Sequence, residues 1–348
     1  MDALQSEDSS SSSNSSASPA TISTVHPDIL RSHILNRLDG ATLAALASTS
    51  PDLRSLISSS SSSDLWRNIC AATWPSVAHP DLASLIPTFK HGHRSFFSDS
   101  FPAVHHHRRL STPNPDLEIA GRIISAVDIY YGDSPIFSKV AETDTTTEWF
   151  NTAPFRIELL EAKEVVSTGI RDYSSGRGKD GAWLKSLEEE LRVSWIVIDP
   201  AGKRSANVSS GVAVSVRHHW LTGEVQLKFS TVVAAAEGVE EVELGVVVTC
   251  GGEEGGEVHV REIYLGMEDM EGRSLSGRGS LGILRGATEG ERRRRRGTRV
   301  EGKAEYERFL ERKREWKRRV ERREKVLDTL CLVTGVAFFL TFFAFLLM

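Results

Sequence analysis

Residues 329–348 read Thr-Leu-Cys-Leu-Val-Thr-Gly-Val-Ala-Phe-Phe-Leu-Thr-Phe-Phe-Ala-Phe-Leu-Leu-Met and contain no charged side chain. As a helix rising about 1.5 Å per residue, this run spans about 30 Å, the thickness of the hydrocarbon core of a bilayer. A helix that is apolar all round is stable only inside a core or a membrane. Nothing follows this run to cover it, so 326–348 is expected to be a transmembrane helix. Leu330, Val333, Val336, Phe338, Phe339, Phe342, Phe343 and Phe345 are the expected membrane-anchoring residues.

What precedes the run suggests an orientation. Residues 291–325 hold 17 Lys/Arg against 8 Asp/Glu, and cytosolic flanks of membrane spans are rich in Lys and Arg. The N-terminus shows no apolar segment of the kind a secretory signal needs. Insertion is therefore expected after synthesis, single-pass, with the N-terminal body left in the cytosol and the endoplasmic reticulum as the membrane. A removable lipid anchor would need small residues at a cleavage site and a polar spacer, whereas this spacer is strongly basic. Within 286–325, Tyr306, Phe309, Leu310, Trp316 and Val320 recur at near-helical spacing among Lys and Arg. This pattern predicts a basic juxtamembrane helix lying on an anionic leaflet. The five-arginine run 292–296 supports a second reading, nuclear import, with the nucleus as the alternative location.

Charge and cysteines narrow the function classes. The chain carries a net charge of −5, and without the basic flank the rest stands at about −14. By charge, the body is not expected to bind nucleic acid. Cys70, Cys250 and Cys331 are few, odd in number and far apart, so neither a disulfide framework nor a zinc set is expected, which suits a reducing compartment. Asn14 and Asn207 begin glycosylation sequons that are chance matches in a cytosolic body.

Residues 1–24 are Ser-rich with few large apolar groups and are expected to be disordered. From 25 to 72 the pattern turns helical. Ile29, Leu30, Ile34 and Leu38 share a helical period, and Asp39-Gly40 ends that helix. Thr42 is the expected cap of a second helix carrying Leu43 and Leu46. Ser50-Pro51 reads as an N-cap followed by proline at the first position of a third helix with Leu53, Leu56 and Ile57. Three short helices bury little core alone, which suggests a module completed by a partner.

The order Val25-His26-Pro27-Asp28-Ile29-Leu30, then Ile34-Leu35-Asn36-Arg37-Leu38, then Leu43, Leu46, Arg54 and Leu65-Trp66 resembles the F-box. Val25 and His26 stand where that family usually has Leu and Pro, and Leu53 stands where a tryptophan is common. Further stretches, Gly92–Phe97, Phe137–Val140, Trp195–Pro200 and Gly266–Gly272, look like a group of plant F-box proteins that join an F-box to a β-rich body, some ending in a membrane segment. The resemblance implies an Skp1-like adaptor and a cullin as partners in a ubiquitin ligase, and a protein substrate it does not identify. It places Val25, His26, Ile29, Leu30, Ile34, Leu38, Leu43 and Leu46 against the adaptor.

Residues 73–117 are Pro- and His-rich and read as a structured connector with short helices. In 118–285, the segments 122–131, 155–166, 191–199, 207–216, 224–233, 239–250 and 257–265 are rich in Val, Ile and aromatics between turn residues. They predict an antiparallel β-sandwich-like body with one helix at 182–191, and an α+β fold overall. Gly176–Gly181 and Gly277–Gly282 both match G-x-G-x-x-G, but neither lies in a βαβ context, and no helix is expected after the second. His91, His93 and His105–His107 lack carboxylate or cysteine companions at ligand spacing, so no metal or cofactor is expected. Glu240-Glu241 reads as a solvated face. Trp149, Trp195 and Trp220 are expected to pack in the core. No nucleophile–base pair stands out, so the chain reads as a non-catalytic adaptor. A membrane-anchored, lectin-like ligand-binding module is the alternative function.

Overall fold

The computed structural model describes residues 25–59, 62–101, 108–109, 121–161, 163–171, 173, 181–219, 221–234, 241–289 and 299–347. The Ser-rich N-terminus, His105–His107, Gly176–Asp180, Trp220, Glu240 and the five-arginine run lie outside the described residues. The chain divides into two compact units, Met1–Ile69 and Cys70–Met348.

In the first unit, helix α1 (Pro27–Ile29) passes through a π turn (Leu30–Ile34) into a 3-10 turn (Leu35–Arg37). The His26 side chain accepts a hydrogen bond from the Asp28 N–H, and Pro27 occupies a position whose missing N–H costs nothing. Helix α2 (Gly40–Thr49) is capped by Asp39, whose Oδ1 accepts from the Thr42 N–H at 2.6 Å. Thr42 is thus the capped residue and not the expected cap. It sits in the first turn, where backbone N–H groups lack intrahelical partners. Helix α3 (Pro51–Ser58) starts as its sequence predicts, with Ser50 accepting from the Asp52 N–H at 3.2 Å. Helix α4 (Ser63–Thr73) follows. Leu30, Leu35, Leu43, Leu53, Ile57, Leu65 and Trp66 are buried, and the Trp66 indole donates to the Ile57 carbonyl at 3.0 Å.

The second unit begins with helices α5 (Pro80–Leu85) and α6 (Gly92–Ser100). Trp74, Phe89, Phe96, Phe97 and Phe101 form an aromatic cluster there, with neighbouring ring centroids 5.3–5.9 Å apart. Then come strands β1 (Arg108–Arg109), β2 (Arg122–Tyr131) and β3 (Ser134–Asp144), helix α7 (Glu148–Thr152), and strands β4 (Arg156–Glu158) and β5 (Val166–Ser167). Helix α8 (Gly181–Glu190) leads into β6 (Leu191–Asp199), β7 (Arg204–Asn207), β8 (Gly211–Val212), β9 (Ser215–His218), β10 (Val225–Ala234), β11 (Glu241–Gly251) and β12 (His259–Glu268). Helices α9 (Gly277–Glu289) and α10 (Arg299–Leu347) complete it.

One sheet runs β3-β2-β6-β7 with β8 beside β6. The other runs β1-β10-β11-β12-β4, with β9 beside β10 and β5 beside β12. Every pairing is antiparallel except β1 with β10. Alternate residues of the two sheets meet in one core: Ile123, Val127 and Ile129 of β2 and Val193, Trp195 and Val197 of β6 share it with Leu227 and Phe229 of β10 and Leu244 and Val246 of β11. The α+β class and the two-sheet body agree with the expectation from sequence.

The smaller sheet is covered on its outer face as well. Asp128 of β2 is buried and accepts from the Ser76 N–H (2.8 Å), the Ser76 hydroxyl (2.6 Å) and the Ser138 hydroxyl of β3 (2.6 Å). Tyr130 donates to the Thr73 carbonyl, and the Ser100 and Ser205 hydroxyls lie 2.9 Å apart. The segment that reads as a connector therefore supplies a helical layer over this sheet.

Four expectations need correction. The run 155–166 is not one strand: β4 ends at Glu158, and Lys163 turns the chain in the left-handed region (φ 80°) before β5. The run 207–216 is likewise broken. Asn207 Oδ1 accepts from the N–H groups of Trp195 and Ser209, Ser209 donates to the Val193 carbonyl, and Gly211 turns at φ 77°. Side chains there take over bonds that a ladder would make, which also occupies the Asn207 amide of the sequon. Strand β3 was not foreseen beyond the family-like Phe137–Val140. Finally, Gly277–Gly282 opens helix α9, where no helix was expected. Ser276 Oγ accepts from the Gly279 N–H, and Ile283 and Leu284 enter the sandwich core. Gly277 is there for closeness, since a Cβ would sit 2.0 Å from the Phe150 carbonyl oxygen.

Candidate functional site

The eight residues expected to meet an adaptor divide by exposure. His26, Ile29 and Ile34 are exposed, the two isoleucines at 50% and 39%. Val25, Leu38 and Leu46 are half-buried. Leu30 and Leu43 are buried, at 5% and 0%, and so support the surface from beneath. Leu35, which the sequence pattern did not single out, joins them at 1%. The π turn explains the reversal: it widens the helix at Leu30–Ile34, so Leu35 turns inward while Ile34 stays out. Ser32 Oγ donates back to the Asp28 carbonyl at 2.6 Å and helps hold that turn.

The opposite end of the chain is a single helix of 49 residues, about 73 Å long. Among the described residues it is the one helix long and apolar enough to cross a membrane. Leu330, Val333, Val336, Phe338, Phe339, Phe342, Phe343 and Phe345 are between 51% and 78% exposed, so no protein core covers them.

The first turns of α10 behave differently. Tyr306 and Phe309 are buried at 4% and 0% against Val214, Val232 and Met270, with Leu310 and Trp316 alongside. This apolar stripe is already covered by the larger sheet's outer face, so it does not lie on a leaflet as expected. The sequence shows that a stripe exists but not which surface covers it.

A buried ionic cluster fastens this contact. Glu243 of β11 is 2% exposed and lies 2.7 Å from Lys228 Nζ and 3.7 Å from Lys313 Nζ, while the Tyr306 hydroxyl donates to it at 2.9 Å. Burial pushes the Glu243 carboxyl up, but Lys228, Lys313 and the Tyr306 hydrogen bond outweigh it and hold the group below its ordinary value. The Tyr306 hydroxyl is pushed far up, first by burial and then by the Glu243 charge. Arg312–Glu241 (3.1 Å), Lys303–Glu188 (2.6 Å) and Lys313–Glu268 (3.4 Å) extend the contact. Glu241 is therefore an ion-pair partner and not part of a merely solvated face.

Of the tryptophans, Trp195 is fully buried and its indole donates to Ser125 Oγ at 3.2 Å. Trp149 contradicts the core expectation at 77% exposed, because its neighbour Phe150 takes the inward position on the short helix α7. Burial pushes the thiols of Cys70 and Cys250 up to about 12. At neutral pH they are protonated and poor nucleophiles. Among the described residues, no group of three His, Cys, Asp or Glu is placed to hold a metal.

These features define a class: a small helical unit with exposed isoleucines, followed by a two-sheet body that carries one long apolar helix. Three curated proteins of Arabidopsis thaliana align with nearly all of the chain. F-box protein At2g27310 is 41% identical, covering 94% of this chain and 97% of its own length. F-box protein At3g44326 is 42% identical over 93% and 91%. Probable F-box protein At2g36090 is 44% identical over 95% and 97%. No protein-family model and no solved structure matches. The chain belongs to the family of plant F-box proteins.

Proposed function

We propose that this protein is the substrate-recruiting subunit of an Skp1–cullin–F-box ubiquitin ligase, tethered to a membrane by α10. The observation that carries this reading is the alignment of nearly the whole chain with curated F-box proteins. The exposed pair Ile29 and Ile34 supports it with an apolar surface on the unit that family uses for its adaptor. Val25, His26, Leu38 and Leu46 extend that surface, and Leu30 and Leu43 hold its shape.

In this reading the protein contributes no catalytic group. It brings an adaptor and cullin at one end and a protein target at the other into one assembly, and ubiquitin transfer belongs to the other subunits. Tethering adds selectivity, because confinement to a bilayer raises the effective concentration of membrane-resident targets. The body faces the cytosol, with the endoplasmic reticulum as its membrane.

Purification of the tagged full chain from plant cells, with and without residues 329–348, tests both halves. Both forms are expected to co-purify an Skp1-like protein and a cullin, and only the full chain to pellet with membranes. Absence of the adaptor and cullin contradicts the ligase reading. A shortened chain that still pellets contradicts the tether.

A further inference from the structure

Helix α10 runs without a break from its docked turns into its apolar span, and the nine residues between carry most of its exposed charge. Lys317, Arg318, Arg319, Arg322, Arg323 and Lys325 are exposed there, against Glu321 and Glu324. At about 100° per residue, Tyr306, Phe309, Lys313 and Trp316 cluster on the face that touches the sheet. On the same wheel Arg318, Arg319, Arg322 and Lys325 fall within a sector of about 120° on the opposite side, while Arg323 is in line with Trp316 but about 10 Å further along the axis, past the docked turns. Lys317 lies outside that sector, between Glu321 and Glu324 at its i+4 and i+7 positions. The arginine face therefore points away from the body, and the body's own carboxylates do not neutralise it. Among the described residues its ion-pair partner is Glu315, 3.5 Å from Arg319, with both side chains more than 60% exposed, a pair of little strength.

We infer that this face, Arg318, Arg319, Arg322 and Lys325, together with Arg323 beyond the docked turns, is a binding surface for anionic phospholipid headgroups. The inference rests on the membrane reading of α10 proposed above. The helix sets the distances: Arg322, Arg323 and Lys325 lie within about 6 Å of Val326, where the apolar run begins, and Arg318 and Arg319 about 10–12 Å from it. The first group falls in the headgroup layer and the second within about one Debye length of it. Guanidinium groups hydrogen-bond phosphate with two N–H donors at once, which favours a phosphate-bearing surface over a diffuse acidic one. The continuous helix decides between lipid and other polyanions, because it delivers the arginines to a bilayer as soon as the span inserts. Docking of the aromatic stripe also changes the expected posture. The helix does not lie flat on the leaflet but crosses it, with the arginine face as a collar on the side away from the body.

The test reconstitutes the full chain with vesicles of phosphatidylcholine alone or with added phosphatidylserine, and compares it with a variant carrying Gln at all five positions. Partitioning is measured at low and high salt, and retention after a urea wash reports insertion of the span. The wild type is expected to be retained by both vesicle types and to partition about tenfold or more in favour of phosphatidylserine at low salt, less at high salt. The variant is expected to be retained equally and to lose the preference. Retention without any preference in the wild type, or a preference surviving in the variant, overturns the collar and leaves the anchor standing. Loss of both vesicle types in the wash overturns the anchor, and the collar with it.

Discussion

The Tyr306 hydroxyl donates a 2.9 Å hydrogen bond to the carboxylate of Glu243, joining the first turns of the long C-terminal helix to a strand at the centre of the larger sheet. The apolar helix is thereby an extension of the folded body and not a separate stalk. Tyr306→Phe removes one hydrogen bond to a buried charge and keeps the ring. It is expected to lower stability by about 1.5–3 kcal/mol, measured by denaturant unfolding of the full chain in detergent.

The same cluster predicts a pH dependence. The folded pKa of Glu243 lies below its unfolded value. Its stabilisation is therefore complete above about pH 4.3, the ordinary glutamate value, and is lost as pH falls through the folded pKa. Wild type is expected to be more stable than Glu243→Gln at neutral pH, and the gap to shrink toward about pH 3. A gap that stays constant over that range would show that the charge of Glu243 does not hold the helix.

Asp128 predicts the opposite sign. Burial raises its carboxyl, and the hydrogen bonds from Ser138 and Ser76 only partly offset this. The group therefore favours its protonated form on folding, and its contribution falls as pH rises through the folded pKa. Asp128→Asn keeps the shape, its Oδ1 still accepts from the Ser76 N–H and the Ser138 hydroxyl and its Nδ2 can donate to the Ser76 hydroxyl oxygen, so it is expected to cost less than about 1 kcal/mol at neutral pH. Asp128→Ala leaves the Ser76 N–H and two hydroxyls without an acceptor and is expected to cost about 3 kcal/mol or more, read as a shift in thermal midpoint.

Gly277 gives a steric prediction. Its Cα lies so close to the Phe150 carbonyl that a methyl group has no room. Gly277→Ala is expected to destabilise the body by about 1–3 kcal/mol although alanine favours helices, whereas Gly279→Ala, at an open helical site, is expected to be neutral or better. Thermal unfolding of the two variants side by side checks this.

Legibility from sequence followed burial. Strands β2 and β6 carry dense Ile, Val and Trp and appear at the bounds the pattern predicts, because both faces of their sheet are covered and the apolar signal is continuous. Strand β3 lies at the edge, with no residue fully buried, so its Ser-Pro start and mixed composition carried little signal. Helix α9 was hidden by the glycines that let it approach α7, since glycine signals a loop unless the contact requiring it is known. On the N-terminal unit, the helical period identified the right segment, but a period of 3.6 assumes a regular helix. The π turn at Leu30–Ile34 shifted the inward positions to Leu30 and Leu35 and left Ile29 and Ile34 outside. The apolar stripe at Tyr306–Trp316 is visible in the sequence, but its cover is not, because the carboxylates that receive Lys313 and Arg312 come from strands 45–71 residues earlier.

We propose that the exposed isoleucines of the N-terminal unit bind an Skp1-like adaptor. The most direct test titrates a purified plant Skp1-like protein against the full chain in detergent, wild type and Ile29→Asp/Ile34→Asp. Both positions are exposed, so the variant is expected to keep the wild-type unfolding free energy within about 0.5 kcal/mol. Wild type is expected to bind, and the variant, still folded, to lose at least about a hundredfold in affinity. Equal binding by the two proteins would contradict it.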